Sequence, residues 1–453
     1  MTHRLPAAFR RFWLADAVSG VGTSVTLLAL QALVVVDLGG DATAVGWLTA
    51  SRWLPYLVLG LVVGALVDRV RRRRTVLVAT DLAQGVLLLA VPLAWWLGRL
   101  TLPVVLVVVL LYGAVSLVNG AASMAFVPRL VPRGQLQRAH ARVDGADAVA
   151  QNAGPALGGL LVQAVGAPLA VLVDVASYVV SAGLLARLRV DEGAGQGSGQ
   201  GSGARYAVPH PVGHGIVPAG QGPADRRERP LPRLRREVVE GLRWVYADSG
   251  LRTLAIATHV WFVGAAAMAA VLAPYVLRDL ALSPAQLGLA GSAAGFGALA
   301  GALGSTAVGR RLGTGGAVVA AHLVSTAGAL TLVLAGVGTA GWPALAVLAA
   351  SQALHGFGIG TSNSHEMAWR QALTPDGLQA RTNTTMRSLN RAVLVVGAPL
   401  AGVAADRIGP RPVLLVAAAA FALSAALLAA SPFRSARLDP GADAPSGPPG
   451  PAP

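Results

Sequence analysis

Apolar residues run along this chain in blocks of about 20 to 25 positions, each closed by a short polar joint. Val104 to Leu111 is unbroken, and Ala417 to Ala430 is interrupted only by Ser424. The blocks lack the period-2 alternation of barrel strands, and a backbone in lipid must satisfy its own hydrogen bonds, so they predict helices. Twelve spans are expected, at 11–36, 44–67, 75–97, 102–126, 143–165, 168–188, 252–277, 286–308, 316–338, 343–368, 387–406 and 411–430. The N-terminus is basic and then apolar, like a signal peptide. Its apolar stretch continues to Val36, too long for that, and is expected to stay as the first helix. The fold class is all-α: a polytopic membrane protein of about 12 transmembrane helices.

Three segments break the pattern. Residues 190–234 are rich in Gly, Ser and Pro without apolar periodicity, which predicts a disordered cytoplasmic linker. Its two histidines, His210 and His214, have no third ligand nearby, so no metal site is expected. Residues 235–251 carry Val238, Val239, Leu242 and Val245 at helical spacing and predict an amphipathic helix on the cytoplasmic surface. The tail at 432–453 is Pro- and Gly-rich and reads as disordered. The six-helix halves are then 1–189 and 252–431.

Those halves are copies of one another. LVPRGQLQRA at 130–139 matches LTPDGLQART at 373–382, an offset of 243. The same offset places Gly154 on Gly397, Gly159 on Gly402, Gly166 on Gly409, and SAGLLA at 181 on SAALLA at 424. DLGGDATAVG at 37 matches DLALSPAQLG at 279, offset 242. Two parallel six-helix halves, related by an axis along the membrane normal, form an architecture of secondary transporters.

Composition agrees. Of the 453 residues 54% are hydrophobic and only 13% charged, against about 25% charged in soluble domains. The net charge of +15 comes from arginine alone, since the chain has no lysine; it has no cysteine either, which excludes disulfides and thiolate metal ligands. With the N-terminus cytoplasmic, roughly 31 of the 36 arginines fall on the inner side and about four outside. Both termini are therefore expected inside the plasma membrane of a bacterial cell. The net charge does not mark a nucleic-acid binder, because no segment offers a soluble basic and aromatic surface.

Four stretches carry a family resemblance: GALVDRVRRRR at 64–74, NAGPALGG at 152–159, EGLRWVYADSGLR at 240–252 and RQALTPDGLQART at 370–382. With them the chain resembles major facilitator superfamily transporters over nearly its whole length. More narrowly it is similar to the drug:proton antiporter branch that includes enterobactin-exporter-like and macrolide-efflux-like proteins. The first stretch resembles the family's signature between spans two and three. There Gly64 allows close helix packing, and Arg69, Arg72 and Arg73 hold the topology. The resemblance implies that Asp68 interacts with the start of span eleven and stabilises the outward-facing state. The second glycine of that signature is replaced by Arg71, which predicts a looser turn. In the second half Gly309 stands where the aspartate would be. NAGPALGG resembles a span-five signature associated with proton-coupled export. Physically, Pro155 removes a backbone donor, and Gly154, Gly158 and Gly159 let a neighbouring helix approach; a plain packing seam fits equally well.

Ionisable and polar groups within a membrane are functional candidates by default. The resemblance implies that spans one, four, seven and ten line the cavity. They offer Asp16, Gln31, Tyr112, Asn119, His259, Gln352, His355, Asn363 and Glu366. Tyr112 and His355 occupy equivalent places, 243 residues apart. His355 is the group near the middle of a cavity helix that ordinarily titrates near neutral pH, which makes it a candidate carrier of a coupling proton, the alternative being a histidine satisfied by a helix–helix hydrogen bond. Asp174 is expected to be structural. Arg52, a charge within span two, has no role assigned from the sequence.

The expected function is export of a small amphipathic molecule (drug, macrolide, siderophore or metabolite) by alternating access, in exchange for protons, by a monomer in contact with lipid and without a cofactor. An importer and a transport-inactive sensor or scaffold on the same fold are the alternatives. No phosphate-cradling loop or metal-spaced cluster suggests an enzyme.

Overall fold

The structure is a computed structural model that describes residues 5–70, 72–188, 236, 239–248 and 250–438, without the side chains of 61, 62, 64–69, 133, 248, 376 and 380. All regular structure among these residues is helical. Nine helices among them are long and apolar enough to cross a membrane. One of the nine, Pro284–Leu334, is two spans in one, because Gly313 leaves helical geometry at φ 75°. Ala42–Arg69 and Leu136–Val165 pack among them. That brings the spans among the described residues to twelve.

In chain order, α1 is Ala7–Ala32, α2 Ala42–Arg69, α3 Arg73–Trp96, α4 Leu102–Leu130, α5 Leu136–Val165 and α6 Ala167–Ala186. In the second half, α7 is Arg252–Pro274, α8 and α9 are residues 284–312 and 314–334, α10 is Trp342–Leu373, α11 Asp376–Ile408 and α12 Pro410–Ala429. The main departure from the expected limits is at α5 and α11, which begin at Leu136 and Asp376 rather than 143 and 387. Their first turns are polar, and a helix can continue out of the apolar layer into water at no cost to its backbone bonds.

The repeat is visible in the backbone. α1 and α7 both loosen into a π-helical turn, Leu33–Asp37 and Tyr275–Asp279. Each is followed by a residue at positive φ, Gly39 at 62° and Ala281 at 48°. Gly166 and Gly409 make matching turns into α6 and α12 at φ 85° and 89°. Packing follows the same rule. α1 lies on α5 and α6, and α7 lies on α11 and α12; α2 lies on α4, and the α8–α9 rod lies on α10.

The halves meet along α2–α11 and α5–α8, and the contact is backbone on backbone. A Cβ at Gly46 would collide with the Ala398 carbonyl, at Gly402 with that of Ala42, at Gly159 with that of Pro284 and at Gly288 with that of Pro155. Across the α5–α8 seam the Ala156 N–H donates to Ser292 Oγ at 3.1 Å. Asp406 caps α2 from the other half: the Ala42 and Thr43 N–H groups donate to its carboxylate at 3.0 and 2.9 Å. A carboxylate suits that site, since a helix N-terminus carries unpaired donors and partial positive charge. Arg278 also reaches across, donating to the Val35 carbonyl at 3.0 Å. All these contacts lie toward the end of the bundle that holds the Gly39, Gly166, Ala281 and Gly409 turns.

The linker expected at 190–234 lies outside the described residues. The segment expected as an amphipathic helix is helical where described and closes in a π-helical turn, Trp244–Asp248. It rests on α11, with Val245 buried and Glu240 ion-paired to Arg381. Of its other apolar positions, Val239 is 54% exposed and Val238 lies outside the described residues. The tail departs from expectation. Up to Leu438 it is ordered, with a 3-10 turn at Pro432–Ser435 that buries Phe433 beside Trp369. The kink at Gly313 frees backbone donors, and the tail accepts from one of them: the Gly315 N–H donates to the Ala436 carbonyl at 3.1 Å. In return the Leu438 N–H donates to Thr314 Oγ1 at 3.3 Å. Residues 439–453 lie outside the described set.

Candidate functional site

A cavity of about 420 Å³ opens inside the second half, walled by α7, α9, α10 and α11. Thr258, Trp261, His322, Gln352, His355 and Glu366 line it. Its chemistry centres on a pair the sequence reading did not join. His322 of α9 and Glu366 of α10 are both buried, with Nε2 3.4 Å from Oε1.

The hydrogen bonds around the pair set the tautomer of His322. Ser424 of α12 donates its hydroxyl proton to the Ala257 carbonyl at 2.6 Å. Its oxygen lies 2.9 Å from His322 Nδ1, so Nδ1 must be the donor there. A neutral His322 therefore presents a bare Nε2 to Glu366. One proton fits on the Nε2–Oε1 edge, held by either partner, and leaves the pair with no net charge. Thr258 Oγ1, bonded to the Leu254 carbonyl at 2.8 Å, stands 3.3 Å from the other carboxylate oxygen. Arg370, one turn further along α10, donates to the Glu366 carbonyl at 3.3 Å.

His355 has a different setting. Its ring stacks on Trp261 at 5.7 Å and 3°, with Phe421 5.2 Å away, and Nδ1 has no hydrogen-bond partner among the described residues. No carboxylate is bonded to it. Gln352 is buried beside it, with Oε1 also unpartnered. Asn363 lies on the cavity wall and is exposed.

His259 is engaged at both ring nitrogens, Nδ1 with Asn390 Oδ1 at 2.7 Å and Nε2 with the Tyr246 hydroxyl at 2.5 Å. Burial pushes the Tyr246 phenol above its ordinary value, which keeps it a donor. His259 thus ties α7 to α11 and to the helical segment that precedes α7.

The candidates in the first half are closed in among themselves. The Tyr112 and Tyr178 hydroxyls lie 2.7 Å apart, Thr23 joins Tyr178 at 3.0 Å, and Gln84 donates to Tyr178 at 2.9 Å. Asn119 donates to Thr80 and Asp81 at 2.8 and 2.7 Å, and Ser181 donates to Asp81 at 2.6 Å. Asp174 is fully buried and accepts from Ser177 at 3.0 Å. Asp16 and Gln31 of α1 are half-buried.

Of the signature between α2 and α3, the side chains of Asp68 and Arg69, the surroundings of Gly64 and the whole of Arg71 lie outside the described residues. Arg72 is exposed just before α3, while Arg73 and Arg74 donate to the Ala125 and Leu188 carbonyls at 2.5 Å and bind α3 to the ends of α4 and α6. The span-five motif has two working faces. Gly154 and Gly158 face α1 at Ser24 and Val25, whereas Pro155 and Gly159 face α8.

Midway along the seam, Arg391 of α11 covers the rings of Trp53 and Tyr56 of α2, at 4.7 and 4.6 Å from their centroids. Arg52 lies over Trp53 from its own helix at 5.2 Å.

Comparison with known proteins gives one family. The profile described as Major Facilitator Superfamily matches residues 12–397. The protein named multidrug efflux pump Tap of Mycobacterium tuberculosis is 29% identical over 402 residues, covering 87% of this chain and 86% of that protein. Its namesake in Mycolicibacterium fortuitum is 28% identical over 400 residues, covering 87% and 88%. Among solved structures, a bacterial homologue of the iron transporter ferroportin in an inward-facing state superposes with a TM-score of 0.67 at 15% identity, covering 94% of this chain and 98% of that one. The outward-facing form of that homologue scores 0.55, at 15% identity and covering 95% and 99%. The nucleoside transporter NupG scores 0.66 at 11% identity, covering 94% and 98%.

Proposed function

The chain belongs to the major facilitator superfamily, a multi-pass membrane transporter and not an enzyme, and on that premise we propose that it exports a small amphipathic molecule in exchange for protons. The observation that carries this reading is the His322–Glu366 pair in the wall of the cavity. A buried edge that holds one proton without net charge is suited to taking up a proton from one side and releasing it to the other. The direction of transport rests on the relatives named as efflux pumps. The fold leaves direction open, since importers and exporters share it.

Alternating access follows from the seam. With both termini cytoplasmic, as the arginine distribution favours, the backbone contacts of α2–α11 and α5–α8 close the outer side. The protein then faces the cytoplasm. A cytoplasmic molecule enters as a monomeric transporter awaits it. Deprotonation inside and protonation outside then bias the rocking of the halves.

The test is transport by purified full-length protein in liposomes, with an internal pH dye and a panel of cationic, anionic and neutral amphipathic dyes. Dye movement should be coupled to opposite proton movement and should collapse with a protonophore. Dye flux at an unchanged rate without a pH gradient would sink the proton exchange.

A further inference from the structure

The seam between the halves holds a pair of cations with no counter-charge. Arg52 and Arg391 sit in the middle stretches of α2 and α11, both half-buried. Each lies about 5 Å from the Trp53 ring, which places their guanidinium carbons within about 10 Å of one another. The groups that face them electrostatically are the phenols of Tyr56, Tyr112 and Tyr178, the exposed Arg387, and each other. Among the described residues no carboxylate is paired with either, and neither guanidinium donates to a hydrogen-bond acceptor.

Two like charges at this depth are costly. Cation–π contact with Trp53 and Tyr56 offsets part of that cost and serves the guanidinium face alone. That contact leaves the guanidinium N–H donors unused, and their fork matches a carboxylate, sulfonate or phosphate. An anion between the two would cancel their repulsion and supply the missing acceptors. The aromatic pair beside it is a flat apolar surface for the rest of the molecule.

We propose that Arg52, Arg391 and the Trp53–Tyr56 platform form a substrate subsite, and that the transported molecule carries an anionic group next to an aromatic or apolar body. This deepens the export reading and rests on it. The subsite takes one cation and both rings from the first half and the other cation from the second. Its occupant therefore touches both halves, and its binding energy changes when they rock. A merely topological role for these arginines would place them at the cytoplasmic surface, which neither occupies.

The experiment uses two probes with the same ring and opposite charge: naphthalene-2-sulfonate and a naphthylmethyl-ammonium salt. Wild-type, Arg52→Gln, Arg391→Gln and Arg391→Lys proteins are purified, checked for monodispersity, and assayed for binding by quenching of tryptophan fluorescence and for flux in liposomes. The sulfonate should bind and move in the wild type with at least tenfold preference over the ammonium twin. Each Gln variant should lose that preference, and Arg391→Lys should keep the charge preference at reduced affinity. Equal handling of both probes by the wild type, or preference for the ammonium, overturns the anion subsite while leaving export in place. So does a sulfonate preference that both Gln variants retain. Sulfonate that binds and loses its preference in the variants, yet never moves in liposomes, upholds the subsite and overturns export.

Discussion

The polar interiors of the two halves start from one backbone plan and end in opposite conditions. In the first half Tyr112 of α4 meets Tyr178, Thr23 and Gln84, and Asp81 is held by Asn119 and Ser181. At the place equivalent to Tyr112 the second half has His355, packed between aromatic rings with a bare ring nitrogen. Its one close acid–base contact, His322 with Glu366, stands at the cavity wall. A hydrogen-bonded buried network rigidifies, and the first half's is the larger, although Thr26 Oγ1, Gln84 Oε1 and Asp174 Oδ2 have no partner among the described residues. On the proposed reading the first half holds its shape and the second carries the proton.

That contrast breaks most easily at Glu366. Glu366→Gln removes the exchangeable proton and should lower pH-gradient-driven flux on the order of tenfold or more, equivalent to about 1.4 kcal/mol or above. Tyr112→Phe, its control in the first half, should leave flux within about twofold while costing about 1 kcal/mol of stability. Counterflow at equal pH, which needs no net proton transfer, separates a coupling defect in Glu366→Gln from a folding defect.

Next is the seam that both halves share. Gly288→Leu forces a side chain into the Pro155 carbonyl and should destabilise the closed end of the seam by about 1–3 kcal/mol. The chain has no cysteine, so a single cysteine at the outer end of α2 can report closure by its labelling rate. That rate should rise in Gly288→Leu. Asp406→Asn keeps the shape of the α2 cap and drops its charge, so a smaller rise is expected, reflecting about 0.3–1 kcal/mol.

The smallest effect sharpens the comparison most. His355→Phe replaces an unpartnered polar ring with an apolar one of similar shape in an aromatic cage. Stability should hold or rise by up to about 1 kcal/mol, and proton-coupled flux should persist. Loss of coupling there would return the proton to His355 and unseat the His322–Glu366 reading.

Most of the fold was legible in sequence, because lipid forces an apolar block for each crossing and the repeat left its polar marks at fixed offsets. The small residues of the Gly154–Gly159 motif were visible in the sequence, but not that its two faces meet different neighbours, α1 and α8. His322 was missed because the cavity was assigned to spans one, four, seven and ten by resemblance, and α9 is not among them. The rule that flagged His355, an ionisable group inside an apolar span, applied equally to His322. Arg391 was hidden by a boundary. It fell only four residues inside the expected span 387–406 and was grouped with the cytoplasmic charges; with α11 begun at Asp376 it lies fifteen residues in. No sequence signal predicted that the tail after Pro432 docks at Gly313, since that depends on backbone donors exposed by a kink.

The seam of Gly46, Gly159, Gly288 and Gly402 has a practical consequence. Where helices touch through main chain, no side-chain rotamers need to rearrange when the contact opens and closes. The moving joint is therefore separable from the cavity lining. On the proposed reading, Gln352 in the cavity wall can be exchanged to retune what is carried while the glycine contacts stay intact, which makes this chain a suitable frame for engineering selectivity.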